Sequence, residues 1–248
     1  MSEYLILAII GMLILILVTV FVYFMYSGLF NGIEIRTGKP PIRELHVAYK
    51  YAVGPYKNCG PLFTEVTKAA PDLRCFGVYY DDPAKVAPEK LRYIVGAVLS
   101  EGDDKEASKE LEEKLVQDEF KIAKFPEVDH MVMATFPHIN SLSIMIAVQR
   151  VYPAFGDYVV QNGLCAHPVM ELYDDGIIHF LAPLAKQNEF YVPETGGISP
   201  EEEAPNSDMS SKTGESSSGE DQEGGGQEGT TGSDSGSSFE ELNVNEDA

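Results

Sequence analysis

Hydrophobic and polar positions divide the chain into three long stretches. Residues 4–26 are almost wholly apolar and carry no charge. Residues 40–193 mix apolar and polar positions with the periods of strands and helices, whereas residues 194–248 contain almost no apolar side chain. This division predicts a membrane-spanning helix, one folded domain and a disordered tail, with residues 27–39 as a connector between helix and domain.

The first stretch is long enough to cross a bilayer, since its residues would span about 34 Å as a helix. A cleaved signal peptide has a shorter apolar run after a basic start, but here the run follows Glu3. Arg36, Lys39 and Arg43 follow it, and positive flanks stay cytosolic. The sequence therefore predicts a signal-anchor helix, with residues 1–3 lumenal and the rest of the chain cytosolic.

Within the middle stretch, the periodicity predicts an α+β domain with seven strands and three helices. The predicted strands are 42–51, 74–80, 91–99, 120–125, 130–136, 168–173 and 177–184. A first helix carries its apolar positions between Leu62 and Ala70, and two more are predicted at 104–118 and 141–162, the last interrupted at Pro153. In the second of these helices, Leu111, Leu115 and Val116 are expected to form the buried stripe.

An internal repeat accompanies these elements. The segment Val78-Tyr79-Tyr80-Asp81-Asp82-Pro83 resembles Glu171-Leu172-Tyr173-Asp174-Asp175-Gly176. In each half the order is strand, helix, strand, strand, which predicts two modules that pair in an antiparallel sheet. Both aspartate pairs stand beside turn-forming residues, so they are interpreted as turns and not as catalytic carboxylates.

Composition and motifs then exclude several classes of function. The net charge is −21, and residues 194–248 contribute −14 of it, so a basic surface for nucleic acid is not expected. The three cysteines, Cys59, Cys75 and Cys165, have no zinc-ligand spacing and are expected to be reduced. Five histidines lie in no nucleophile or metal motif, and no phosphate-binding loop occurs. We therefore expect no enzyme, no cofactor and no metal.

One short motif stands out in the tail. Phe239-Glu240-Glu241-Leu242 contains the only aromatic residue of the tail, in an acidic Ser/Gly-rich setting. An extended peptide places its first and fourth side chains in two separate pockets while its backbone pairs with a sheet edge. The motif resembles those that bind ubiquitin-like autophagy proteins of the LC3 and GABARAP type. Ser237 and Ser238 each precede a glutamate by three residues, which suits acidophilic kinases, and phosphate would add negative charge.

Seven ordered segments and the tail motif together resemble a known family of single-pass receptors for autophagy of the endoplasmic reticulum. The similarity covers residues 1–194 nearly continuously and returns at residues 236–242, although the family's tail is longer. The segments are Tyr26-Ser27-Gly28-Leu29, Pro40-Pro41-Ile42-Arg43, Val47-Ala48-Tyr49-Lys50, Leu62-Phe63-Thr64-Glu65, Val78-Tyr79-Tyr80-Asp81, Ala134-Thr135-Phe136-Pro137 and Phe190-Tyr191-Val192-Pro193-Glu194.

The resemblance implies a GyrI-like domain, a duplicated strand-helix-strand-strand fold, between the anchor and the tail. It implies residence in the endoplasmic reticulum membrane and binding of LC3/GABARAP-type proteins through Phe239, Glu240, Glu241 and Leu242. The result would be reticulophagy, in which the receptor ties the reticulum to the autophagosome.

Two alternatives remain open from the sequence. GyrI-like domains elsewhere hold an apolar or cationic small molecule in a cleft, which here would be lined by Tyr49, Tyr79, Tyr80 and Tyr173, unless these are ordinary core aromatics. The domain would then be a membrane-tethered module for a small molecule or a lipid. The resemblance also implies an adaptor role, in which the chain recruits an AAA ATPase at the nuclear envelope for repair of protein–DNA crosslinks.

Overall fold

The computed structural model describes residues 2–103 and 107–198. Within these residues four α-helices, eight strands and four short 3₁₀ turns occur. The helices are α1 (Ser2–Tyr26), α2 (Gly60–Ala69), α3 (Lys109–Gln117) and α4 (Ser141–Gln161). The strands are β1 (Arg36–Gly38), β2 (Leu45–Val53), β3 (Cys75–Tyr79), β4 (Arg92–Glu101), β5 (Lys121–Phe125), β6 (Met131–Pro137), β7 (Val169–Asp174) and β8 (Ile177–Pro183).

All eight strands form one antiparallel sheet in the order β1-β6-β8-β7-β3-β4-β2-β5. The strand-helix-strand-strand order occurs twice, as β2-α2-β3-β4 (module one) and as β6-α4-β7-β8 (module two). The modules join where β3 pairs with β7, with Val78 opposite Met170. The α+β class with an antiparallel sheet is confirmed, and the predicted repeat corresponds to the two strands that join the modules.

Strand alternation gives the sheet two differently covered faces. On β6, Val132, Ala134 and Phe136 face α4, whereas Met131 and Met133 belong to the cluster on the opposite side. The opposite side is closed by the segment after β8, and α2 and α3 cover module one on the helical side. The domain therefore has apolar cores on both faces of one sheet.

Three local predictions need correction. The predicted connector at 27–39 contains β1, which pairs with the sheet edge at β6. Pro153 does not interrupt α4, which continues from Ser141 to Gln161 with Pro153 on its exposed side. Val116 is 52% exposed, because it lies about 100° around α3 from the buried Leu115.

Candidate functional site

Helix α1 is the first functional feature. Residues 3–26 have a mean hydropathy of 3.3 in their most apolar window, and none of that window is buried inside the protein. By length and composition this helix is able to cross a membrane. The predicted helix at 4–26 is thereby confirmed, while its compartment and orientation stay predictions.

The end of α1 has a defined cap. The amide of Leu29 donates to the carbonyl of Phe24, and that of Gly28 donates to Met25, each at 3.1 Å. Gly28 has φ +98°, so these are the bonds of a Schellman cap with glycine in the left-handed region. A Cβ at Gly28 would lie 3.1 Å from the ring of Phe136 on β6. The cap therefore needs glycine both for its conformation and for its packing.

Module two holds this cap from the side. The amide nitrogen Nδ2 of Asn140 donates to Oγ of Ser27 at 3.0 Å. Arg150 donates to the carbonyls of Gly28 at 3.2 Å and Leu29 at 2.7 Å. Asn140 is also the N-cap of α4, where its side chain accepts from the amide of Ser143 at 3.0 Å. We call residues 24–29 with Asn140 and Arg150 the membrane junction, and it fixes α1 to α4.

The C-terminal end of the domain is held by contacts with module one. Arg92 of β4 forms an ion pair with the buried carboxylate of Asp81 at 2.6 Å. The same guanidinium donates to the carbonyls of Thr195 at 2.6 Å and Gly197 at 3.0 Å. Residues 194–197, which we call the tail root, are therefore held against β4.

Glu194 adds a second contact at the tail root. Its carboxylate lies 2.5 Å from Nζ of Lys121 on β5 and accepts from the hydroxyl of Tyr49 on β2 at 3.2 Å. Burial acts to raise the pKa of Glu194, but the hydrogen bonds from Lys121, its own backbone and Tyr49 outweigh it and lower the pKa. The tail thus leaves the domain from the edge of module one.

A buried acid lies between the two modules. Glu171 of β7 is 2% exposed and accepts hydrogen bonds from Tyr152 at 2.7 Å, Tyr173 at 2.8 Å and Tyr79 at 3.3 Å. We call these four residues the tyrosine cluster. Burial raises the pKa of Glu171, and the three hydroxyl donors oppose that shift. Tyr79 comes from module one and the other three from module two, so the cluster connects the modules.

The polar groups of the tyrosine cluster are paired with one another. Burial, followed by the nearby carboxylate, raises the pKa of Tyr79, so this phenol stays protonated as a donor. Within the described residues, no buried side-chain nitrogen or oxygen lacks a hydrogen-bond partner. The tyrosines are only half-buried, and Phe63 of α2 packs edge-on against Tyr173 at 5.3 Å. The cluster therefore combines one buried carboxylate with aromatic rings that are partly exposed.

The four tyrosines predicted to line one cleft do not meet. Tyr79 and Tyr173 belong to the tyrosine cluster on the helical side of the sheet. Tyr49 and Tyr80 are 2% and 1% exposed in the core on the opposite side. Alternation along the strand separates the neighbours Tyr79 and Tyr80. The four tyrosines therefore do not line a single cleft. They are core or half-buried strand aromatics, which was the other interpretation open from the sequence.

The tail predictions lie outside the described residues. Ser237, Ser238 and the motif Phe239-Glu240-Glu241-Leu242 all fall after residue 198, so their placement stays a prediction. Among the described residues, no group of three or more His, Cys, Asp or Glu is placed to hold a metal ion.

Sequence reasoning missed the residues that organise the two ends of the domain and the joint between its modules. They are Asn140, Arg150, Arg92 and Glu171. Only Glu171 carried a signal, because a lone charge inside an apolar strand requires buried partners. The other three act through backbone carbonyls or loop residues, which no periodic pattern reveals.

Two curated relatives match most of the chain. Testis-expressed protein 264 of Homo sapiens is 46% identical over 195 residues, which are 78% of this chain and 62% of the human protein. The homologue from Mus musculus is 48% identical over 169 residues, or 68% of this chain and 54% of the mouse protein. The resemblance found in the sequence is confirmed, and the chain spans less than two thirds of the length of either relative.

Solved structures give weaker matches. The C-terminal domain of EcmrR is 18% identical with a TM-score of 0.38, and it covers 61% of this chain and 96% of its own. A hydrolase from Listeria innocua is 11% identical with a TM-score of 0.39, covering 62% of this chain and 91% of its own. Scores at this level establish no shared activity. No protein-family profile matches the sequence.

Proposed function

We propose that this chain, a homologue of testis-expressed protein 264, is a receptor of the endoplasmic reticulum membrane for reticulophagy. In this proposal α1 is the signal anchor, its N-terminal side is lumenal, and a GyrI-like domain without catalytic role lies in the cytosol. Phe239, Glu240, Glu241 and Leu242 bind LC3/GABARAP-type proteins on the autophagosomal membrane. The chain spans only part of the length of its relatives, so the receptor activity is a proposal for this chain.

The observation that carries the proposal is the placement of the two ends of the domain. The membrane junction contacts β6 and α4, whereas the tail root contacts β4, β2 and β5. Four strand spacings separate β6 from β4 in the sheet, or about 19 Å along it at the usual spacing between strands. A tail that starts away from the anchor suits a receptor that reaches from one membrane toward another.

The length of the tail and the number of receptors in the membrane complete the proposed mechanism. The sequence predicts a flexible linker between the tail root and the motif, with a root-mean-square reach of about 32–38 Å for residues 198–238. A single four-residue motif buries little surface and binds weakly, so many receptors in one membrane are needed for stable attachment. The domain serves as a spacer that presents the tail, and the motif supplies the recognition.

A pull-down with LC3/GABARAP-type proteins tests the motif. Phe239→Ala combined with Leu242→Ala removes both pocket residues and is expected to abolish binding, while the protein stays in the membrane fraction. Val244→Ala, a truncation just outside the motif, is the matched control and is expected to bind as the unmodified chain does. Undiminished binding by the double variant would overturn the proposal.

Phosphorylation provides a graded test of the same site. Phosphate on Ser237 or Ser238 adds about −1.5 to −2 charges beside the motif, which strengthens pairing with a basic partner surface. Treatment with an acidophilic kinase is expected to tighten binding in low salt, and Ser237→Ala with Ser238→Ala is expected to remove that gain.

The tyrosine cluster supports a second candidate function, a small-molecule or lipid-binding module tethered to the membrane. A buried carboxylate surrounded by half-buried aromatic rings is the specific observation in its favour. A lipophilic organic cation would then raise the melting temperature of the full chain, and Glu171→Gln would remove the shift. Equal shifts for both proteins would place any binding elsewhere.

A further inference from the structure

Four exposed apolar side chains lie on the segments that flank the membrane junction. Phe30 is 65% exposed, Met145 is 60% exposed, and Ile139 and Val148 are each 43% exposed. We call these four residues the junction patch. They are half of the eight large apolar side chains that are exposed in the described residues after α1. A concentration of this kind marks a surface that contacts something other than water.

The outer face of α4 carries one exposed charge, Asp157, and the first half of that face carries none. Ser141–Gln161 contains only two charged residues, Arg150 and Asp157, and Arg150 is engaged by the carbonyls of the membrane junction. Met145 and Val148 lie three residues apart and therefore share one exposed side of the helix. A helix with one side exposed to solvent normally has charged residues on that side.

Two contacts place part of the junction patch beside the C-terminal end of α1. The ring of Phe30 packs edge-on against that of Phe21 of α1, with centroids 6.1 Å apart. Phe30 thus folds back along the apolar helix after the Schellman cap has reversed the chain. Asn140, which follows Ile139 and caps α4, donates a hydrogen bond to Ser27. Phe30 and Ile139 therefore lie beside the end of α1, and Met145 and Val148 extend the exposed apolar side along α4.

We propose that the junction patch inserts into the interfacial layer of the same bilayer that α1 spans, so that α4 lies on the lipid surface. This inference rests on the proposed role of α1 as a membrane anchor. Its occupant is the lipid bilayer, because the patch extends an apolar surface that already belongs to the membrane-spanning helix. Amphipathic helices bind interfaces in this way, with an apolar side among the headgroups and acyl chains.

Docking of α4 would set the orientation of the whole domain. Module two would rest on the membrane, and the tail root on module one would be held away from it. A domain attached by one flexible link would instead sample all orientations, including those that press the tail root against lipid. The junction patch thereby adds a positioning role to the proposed tether.

The absence of tryptophan from the sequence allows a direct test. Full-length Met145→Trp is reconstituted in phosphatidylcholine vesicles with brominated acyl chains, which quench indole fluorescence on contact. Its emission is expected to be blue-shifted and strongly quenched. Val116→Trp is the matched control, because Val116 is 52% exposed on α3, and its emission is expected to stay red-shifted and unquenched.

Two further variants separate the possible failures. Phe21→Trp reports on the anchor, and Val148→Trp repeats the test if Met145→Trp lowers the melting temperature of the domain. Quenching of Phe21→Trp without quenching on α4 would overturn the docking and leave the anchor standing. No quenching of any variant would overturn both. A blue shift on α4 without bromine quenching would mean that protein covers the patch, which also contradicts docking on lipid.

Discussion

The two modules share one order of elements but present different surfaces. Module two receives α1, and its helix α4 has an outer side formed by Met145, Val148 and uncharged neighbours. Module one holds the tail root, and its helix α2 exposes the charged residues Glu65 and Lys68. A duplicated fold therefore has one module adapted to an apolar surface and the other to water.

This difference shows that the residues of the core and those of the outer surface are constrained separately. The fold constrains the core, and the surroundings of each module constrain its surface. Both modules bury apolar residues against the same sheet, which the fold requires of each copy. Only the outer sides of α2 and α4 are free to differ. The outer side of α2 is charged, and that of α4 near the membrane junction is apolar. The predictions that follow test whether the modules are as distinct, and as tightly joined, as the contacts indicate.

The largest effect is expected where the modules are joined. Glu171→Ala removes the shared acceptor of Tyr79, Tyr152 and Tyr173 and leaves three hydroxyls without it. Unpaired polar groups and a small cavity together should cost about 2–4 kcal/mol of unfolding free energy. Chemical denaturation of the full chain in detergent measures this loss.

Glu171→Gln is the control for that change, because it keeps the shape and one acceptor oxygen. It is expected to lose much less stability than Glu171→Ala at acidic pH. A loss below about 0.5 kcal/mol for Glu171→Ala would show that the cluster does not hold the modules together.

An intermediate effect is expected from two equivalent helix caps. Asn140 caps α4 and Ser108 caps α3, each through a bond to an amide in the first turn. Replacing either by alanine should cost about 1 kcal/mol. Only Asn140→Ala also releases Ser27, so only this variant should speed hydrogen exchange at the amides of Gly28 and Leu29. Faster exchange there in Ser108→Ala as well would mean that the junction is not held by module two.

The smallest effect is a pH dependence. Burial raises the pKa of Glu171 in the folded protein, so the folded state binds this proton more tightly than the unfolded chain does. That contribution is complete below the ordinary glutamate pKa and is lost as pH rises through the raised pKa. The stability of the unmodified chain relative to Glu171→Gln should therefore fall over this window. A difference that stays constant or grows with pH would contradict the assignment.

Much of the fold follows from the sequence because strands and helices leave periodic signals. The apolar run of α1, the hairpin at Asp174-Asp175-Gly176 and the repeated order of elements were all predictable from local pattern and turn chemistry. The strand β1 was not, since three residues are too few for a period and its pairing with β6 depends on tertiary contact.

The functional contacts were less accessible to such reasoning. Asn140 donates to the hydroxyl of Ser27 and Arg150 to the carbonyls of Gly28 and Leu29, all more than a hundred residues away. Sequence spacing does not indicate contacts between residues so far apart. The opposite directions of Tyr79 and Tyr80 follow from strand alternation, but only once their strand is located. The exposed side of α4 could be identified only from the structure, which shows which side of the helix packs on the sheet.

Bridging of two membranes tests the central claim most directly. Vesicles that contain the full chain are mixed with vesicles that display a lipid-linked GABARAP-type protein, and clustering is followed by light scattering. The unmodified chain and Val244→Ala are expected to cluster the vesicles, whereas Phe239→Ala with Leu242→Ala is expected to leave them separate although its anchor remains inserted. Clustering by the double variant to the same extent would contradict the account.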